Sequence, residues 1–221
     1  AAFIEMGLEK NGFLYVTDVV SGAASFEKLF EEGADEEYIA KMEKGKSYPS
    51  IAQLLKRGDE VVVQVVKEPI GTKGARLTTH ISIPGRFLVL MPFDNHIGLS
   101  KRIESREERD RIRKIMEALK LPKDLGFIVR TAAIGASDKD FFRESRYLIG
   151  LWNQIKAKVK RSRPPALIHA EYDLILRVAR DIFTGDVAKL EVDSRDDFKR
   201  ISRFLSILAP HLRPRLRFYS D

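Results

Sequence analysis

Gly126-Phe127-Ile128-Val129-Arg130-Thr131-Ala132-Ala133 is an apolar run that ends in a guanidinium beside a hydroxyl. Phe127 to Val129, aromatic and β-branched and entered after Gly126, read as a buried strand. At its end the chain delivers Arg130 and Thr131 side by side, followed by small residues that let a ligand come close. One reading is a grip on a single phosphate group: arginine supplies a planar fork of donors and threonine adds one more. The other is structural: Arg130 pairs with a neighbouring carboxylate and Thr131 merely caps the next turn. This stretch alone leaves both open.

The surrounding elements place that strand in the middle of a mixed α and β chain. Upstream, Ser105 and Glu108 have the spacing of a capping box, and Ile112, Ile115, Met116 and Leu119 follow at helical intervals until Leu121-Pro122. Downstream, a second helix starts near Ser137. Its apolar stripe is Leu148, Leu151, Trp152, Ile155 and Val159, and cations gather at its carboxyl end, where the helix dipole favours them. Tyr172 to Thr184 reads as helix closed by Gly185. Val187 to Asp193 reads as strand, Ser194 caps a helix carrying Phe198, Ile201, Phe204, Leu205 and Leu208, and Arg215 to Tyr219 returns as strand. That order implies a right-handed crossover in a mixed sheet.

The first third is strand-rich. Ala1-Ala2-Phe3-Ile4-Glu5-Met6-Gly7 and Phe13-Leu14-Tyr15-Val16 read as strands, with a charged stretch of helix and loop from Phe26 to Lys46. Lys56-Arg57-Gly58-Asp59 is a turn before Glu60 to Val66, the clearest strand by composition. A loop from Pro69 to Gly74 leads into Ala75 to Ile81, and Phe87 to Met91 is a further strand. Short strands with glycine-containing turns favour a small barrel or sandwich. The chain opens directly on a strand and stops just after one, so its fold is expected to continue beyond both ends.

Composition narrows the chemistry. The 221 residues include 44% hydrophobic and 32% charged, enough for a real core. Lys plus Arg number 39 against 32 Asp plus Glu, a formal charge of +7, and the pI of about 9.5 points toward a polyanionic partner. With no cysteine, disulfides, thiolate zinc sites and cysteine nucleophiles are excluded. No apolar run is long enough to span a bilayer. His80, His96, His169 and His211 are scattered without metal-ligand spacing, and no Walker-type phosphate loop or serine nucleophile elbow appears. Asp193, Asp196 and Asp197 read as helix-capping carboxylates. Binding is better supported. Phe3 and Phe13 on successive strands, with Lys10, Lys67, Lys73 and Arg76 in or beside turns, match the aromatic-and-cation chemistry that holds single-stranded nucleic acid. Lys73 lies between Gly71 and Gly74, which leave room for a phosphate, and Lys101-Arg102 adds two cations after Gly98. Core phenylalanines and a solvated charged face are the structural alternatives.

Several motifs in order resemble the ribonuclease E/G family. They are the opening Ala1 to Gly7 with Asn11-Gly12-Phe13-Leu14, Gly71 to Thr79, Pro84 to Pro92, Ser100-Lys101-Arg102-Ile103, Gly126 to Ala133, and Arg163-Pro164-Pro165 with Leu167-Ile168-His169. The resemblance covers essentially the whole chain. It implies an α+β chain in three parts: an OB-fold β-barrel, incomplete at its amino end (1–83), a mixed α/β 5′-monophosphate sensor subdomain (84–171), and part of an RNase H-like subdomain (172–221). It implies that Arg130 and Thr131 hold a terminal phosphate, and that Phe3, Phe13 and Lys73, with Lys67 and Arg102 as weaker candidates, line the path of single-stranded RNA. The family's catalytic aspartates hold Mg²⁺ in a later DNase I-like domain, so no catalytic or metal-binding residue is expected here. The parent would be a cytoplasmic, homo-oligomeric, Mg²⁺-dependent endoribonuclease of RNA processing and decay. The alternatives are a non-catalytic OB-fold RNA-binding module and a structural scaffold with no nucleic acid.

Overall fold

A computed structural model of the chain describes residues 1–20 and 49–220. The expected charged stretch from Phe26 to Lys46 lies outside the described residues. Among these described residues three sheets follow one another in chain order.

The first sheet comprises β1 (Ala2–Ile4), β2 (Gly12–Leu14), β3 (Gln64–Lys67) and β4 (Arg76–Thr78), in the order β1-β2-β4-β3. Two one-turn helices, α1 (Thr17–Val20) and α2 (Ile51–Leu54), accompany it. β2 runs parallel to β4, and the outer pairs are antiparallel. No pairing among the described residues closes β1 onto β3 into a barrel. Strand β3 is shorter than its valine-rich sequence predicts. Glu60 to Val63 stay outside it, and its register slips between Val65 and Lys67. Composition favours extended backbone, but a strand also needs a partner, and β4 offers only three residues.

The second sheet is β5 (Ile83–Pro84), β6 (Leu88–Met91), β7 (Ile97–Leu99) and β8 (Gly126–Val129), ordered β5-β6-β8-β7. Every residue of β6 and β8 is buried. Leu88, Leu90, Phe127 and Val129 join one core cluster, while Val89, Met91 and Ile128 form another. Burial on both faces explains why β8 reads as an unbroken apolar run rather than an alternating one. Helix α3 (Arg106–Ala118) and the 24-residue α4 (Asp138–Arg161) pack on the larger cluster. α4 contributes Phe141, Leu148, Trp152 and Ile155 at helical spacing. Its start is a full capping box between Ser137 and Asp140. α3 has only half of its expected box: Ser105 accepts from the Glu108 N–H, but the Glu108 carboxylate turns elsewhere.

Beyond α4, α5 (Leu174–Asp181) is shorter than the Tyr172–Thr184 reading, because Asp173 rather than Tyr172 provides the cap. β9 (Leu190–Val192), α6 (Arg195–Leu208) and β10 (Leu216–Phe218) complete the chain. β9 and β10 are parallel, as a crossover requires, but form their own two-stranded sheet rather than joining a mixed one. α5 and α6 enclose their own core with Phe183, Phe204, Leu205 and Leu212.

Candidate phosphate-binding site

β7 and β8 run in parallel, with Leu99 opposite Val129, so their carboxyl ends emerge together. Ser100 leaves β7 with its N–H on the Val129 carbonyl at 2.9 Å. Arg130 leaves β8 with its N–H on the Phe87 carbonyl at 2.8 Å. Thr131 then opens a short 3-10 turn (Thr131–Ala133) and is exposed. Its hydroxyl lies 3.2 Å from that of Ser100, which also accepts the Arg102 N–H at 3.3 Å. The Ser100-Lys101-Arg102 turn and the Arg130-Thr131 strand end are therefore one site. The side chains of Lys101 and Arg102 are exposed beside it.

The loop after Thr131 is anchored from α3. Glu108 accepts from Arg111 at 2.7 and 2.8 Å and from the Gly135 N–H at 2.9 Å. These bonds, the one from Arg111 foremost, hold its carboxyl at about 2, so the anchor stays charged across the physiological range. Arg111 also donates to the Ala136 carbonyl at 2.9 Å.

Arg130 meets the structural alternative halfway. Its Nη1 donates to the Gly85 carbonyl at 2.6 Å and to Asp181 Oδ1 at 2.7 Å. The pair is about one-third exposed on both sides. Among the described residues no hydrogen bond engages the Nε or Nη2 of Arg130, so a second edge of the guanidinium fork stays available.

Gly85 belongs to a turn built around a buried carboxylate. Glu144 of α4 accepts the N–H groups of Arg86, Phe87 and Leu88 at 2.5, 2.7 and 2.9 Å. A Cβ on Gly85 would sit 2.7 Å from the Glu144 carboxyl carbon, which is why glycine stands there. Burial pushes the Glu144 pKa up to about 7, against the downward pull of those three bonds and of the Arg130 charge. Arg86 donates to the Phe183 carbonyl and Arg180 to the Pro84 carbonyl, tying the same turn to the α5 region.

The remaining candidates lie apart, on the first sheet. Phe3 faces Phe13, Phe13 faces Arg76, and Arg76 faces Lys67, a single row across four strands. Phe3 is 78% exposed, and Phe13 is half-buried with its ring edge-on to Tyr15. Lys67 is exposed at the far edge. Arg76 is buried in an ion pair with Asp18 at 3.2 Å, so it serves the fold rather than a ligand. Lys73 is exposed on a tight hairpin where its N–H reaches the Ile70 carbonyl at 3.0 Å. The flanking glycines have structural reasons of their own. Gly71 takes a φ of +57°, and a Cβ on Gly74 would lie 1.9 Å from the Asn11 carbonyl oxygen. Lys10 also donates to the Gly71 carbonyl at 2.6 Å, so the hairpin and the β1–β2 turn hold each other.

The Ribonuclease E/G family model matches residues 82–221, the stretch that includes the Arg130 site. This chain belongs to the ribonuclease E/G family. Ribonuclease G of Haemophilus influenzae is 37% identical over 220 residues, covering 100% of this chain and 42% of that protein. Ribonuclease G of Escherichia coli K12 is 36% identical with the same coverage. Ribonuclease E of a Nostoc species is 36% identical over 206 residues, 93% of this chain and 27% of that protein. The chain thus spans 42% of the length of these ribonuclease G relatives.

Within this ribonuclease E/G chain, three parts of the site were not singled out from the sequence. Ser100 was legible only as part of a motif. Gly85 likewise stands only within the Pro84 to Pro92 motif, and the contacts of its carbonyl and of Asp181 with Arg130 span 45 and 51 residues, beyond any local pattern. Asp193 and Asp196 remain at the amino end of α6, with Asp197 paired to Arg200 at 2.9 Å. No group of three histidine, aspartate or glutamate side chains among the described residues could hold a metal ion. No helix among them is long and apolar enough to cross a membrane.

Proposed function

We propose that this chain is the RNA-holding and 5′-end-sensing part of a Mg²⁺-dependent, single-strand-specific endoribonuclease of RNA processing and decay, working in the cytoplasm. The observation that carries this reading is the Arg130-Thr131 strand end. A guanidinium fork with one edge spare and an exposed hydroxyl adjoin Lys101 and Arg102 at the carboxyl ends of two parallel strands. A terminal phosphate would receive charge-assisted bonds worth on the order of 1.5–3 kcal/mol each. An RNA ending in a 5′-hydroxyl offers no such dianion. Phe3 and Phe13 would stack bases, and Lys67, Lys73 and Arg102 would follow the backbone. No step of cleavage is assigned to the described residues. In the family the metal-holding aspartates belong to a later domain.

The test is a fluorescence titration with matched 5′-monophosphorylated and 5′-hydroxyl oligoribonucleotides. The monophosphorylated strand is expected to bind more tightly. Arg130→Ala should erase that difference while most of the affinity for the 5′-hydroxyl strand survives. Equal affinity of the unmodified protein for the two strands overturns the sensing role. The exposed Phe3 facing Phe13 also fits a non-catalytic RNA-binding module. Paired aspartate motifs encoded downstream of Asp221 would decide for the nuclease.

A further inference from the structure

We infer that Asp181, at the carboxyl end of α5, is a positioning residue that aims the Arg130 guanidinium at the 5′ end of RNA. This rests on the sensing role proposed for Arg130. It adds that the discrimination depends on a residue outside the second sheet altogether.

Asp181 uses both oxygens. Oδ1 takes Nη1 of Arg130 at 2.7 Å, and Oδ2 takes Nη2 and Nε of Arg180 at 2.8 and 3.2 Å. Arg180 is itself fixed. It is buried, donates to the Pro84 carbonyl at 3.1 Å and pairs with Glu171 at 3.1 Å. The Gly85 carbonyl, one residue on from Pro84, supplies the second acceptor of Arg130 Nη1. Arg130 is thus clamped at one nitrogen by two acceptors that belong to one assembly, and among the described residues its Nε and Nη2 make no hydrogen bond. A long arginine free to sample its rotamers would lose side-chain entropy on gripping phosphate; a clamped one has already lost it.

A carboxylate beside a phosphate site raises the opposite expectation, that it repels or competes. Geometry decides between them. Asp181 and Glu171 share Arg180 at contact distance and Arg130 adds the second cation, so the four charges balance before a phosphate arrives. The contact with Arg130 occupies Nη1 and leaves Nε and Nη2 to the ligand. Orientation outweighs repulsion.

The experiment is the same pair of labelled oligoribonucleotides, titrated against the protein and its Asp181→Asn and Asp181→Glu variants, with a thermal melt of each. Asp181→Asn is expected to lower the preference for the 5′-monophosphate by about fivefold, the scale of one partly exposed ion pair. Affinity for the 5′-hydroxyl strand should stay put, and Asp181→Glu should recover part of the preference. In an Arg130→Ala background, Asp181→Asn should change nothing further. An unchanged or increased preference in Asp181→Asn overturns the inference, as does an equal loss of affinity for both strands. If the unmodified protein shows no preference, the sensing role fails first, and that result appears before any variant is made.

Discussion

Among the described residues the second sheet is sealed and the first is open, and the candidate residues on the two differ in kind. Leu88, Leu90, Phe127 and Val129 lie under α3 and α4 in a cluster that also buries Ile112, Met116, Phe141 and Leu148. On the first sheet the buried apolar cluster is Leu14, Ala75 and Leu77, bordered by partly exposed neighbours. The sealed sheet ends in a guanidinium held by the Gly85 carbonyl and Asp181, an arrangement that would suit the proposed grip on one small dianion. The open sheet lines up Phe3, Phe13 and, beyond the buried Arg76, the exposed Lys67, which would suit a flexible polymer whose every base has a face to stack. On the proposed reading, rigidity would be concentrated where the ligand is a point, and exposure where it is a strand.

The contrast breaks or holds first on stability. Phe127→Ala, deep between strands and helices, should cost about 3–5 kcal/mol in urea unfolding. Leu77→Ala, among neighbours free to collapse inward, should fall near the low end of the range for such a change, about 2 kcal/mol. Equal losses, or a larger one at Leu77, would show that the first sheet is packed as firmly as the second.

A smaller effect tests whether the Arg130 scaffold is polar as well as apolar. Glu144→Gln turns an acceptor of three backbone N–H groups into a side chain with a donor facing one of them, at about 1–3 kcal/mol. The pH dependence has a definite sign. The folded pKa of Glu144 is raised to about 7 by burial, so the folded protein holds this proton more tightly than the unfolded chain. The stabilisation from that proton is complete below the unfolded value, about 4.3, and is lost as pH rises through 7. The melting temperature of the unmodified protein relative to Glu144→Gln should therefore decline between pH 5 and 8. A difference that grows over that window refutes this account of Glu144.

Sequence reading was strongest where local rules govern. The Phe127 strand, the helix start near Ser137, the Ser194 cap and the α4 stripe all depend on residues within a few positions of one another, and all four appear as read. It was weakest where a distant partner decides. Glu60 to Val66 reads as the clearest strand, yet of that run only Gln64 to Val66 joins β3, because pairing rather than composition limits it. The site shows the same division. The adjacency of Arg130 and Thr131 was visible, and so was the Ser100-Lys101-Arg102 motif. That one completes the other follows from the parallel pairing of β7 and β8, which no local pattern announces. Glu144 falls on the buried face of α4 yet bears a carboxyl group, and an acidic residue at a core position is the one signal that could expose the turn it holds.

The smallest effect probes the open sheet alone. Phe3 is 78% exposed, so Phe3→Ala removes almost no packing and should leave stability within about 0.5 kcal/mol. If its ring stacks a base beside Phe13, affinity for single-stranded RNA should fall by about 1 kcal/mol, the low end for one stacked base, because an edge strand gives the ring one flank only. No charge is removed, so the slope of log affinity against log salt should not change. That separates stacking from the electrostatic contribution of Lys67 and Lys73, each of which would shift the slope. The 5′-monophosphate preference should also be untouched, since Phe3 lies on a different sheet from Arg130. A Phe3→Ala protein with full RNA affinity would strip the aromatic row of its role, while one that lost the 5′ preference would join the two sites into one.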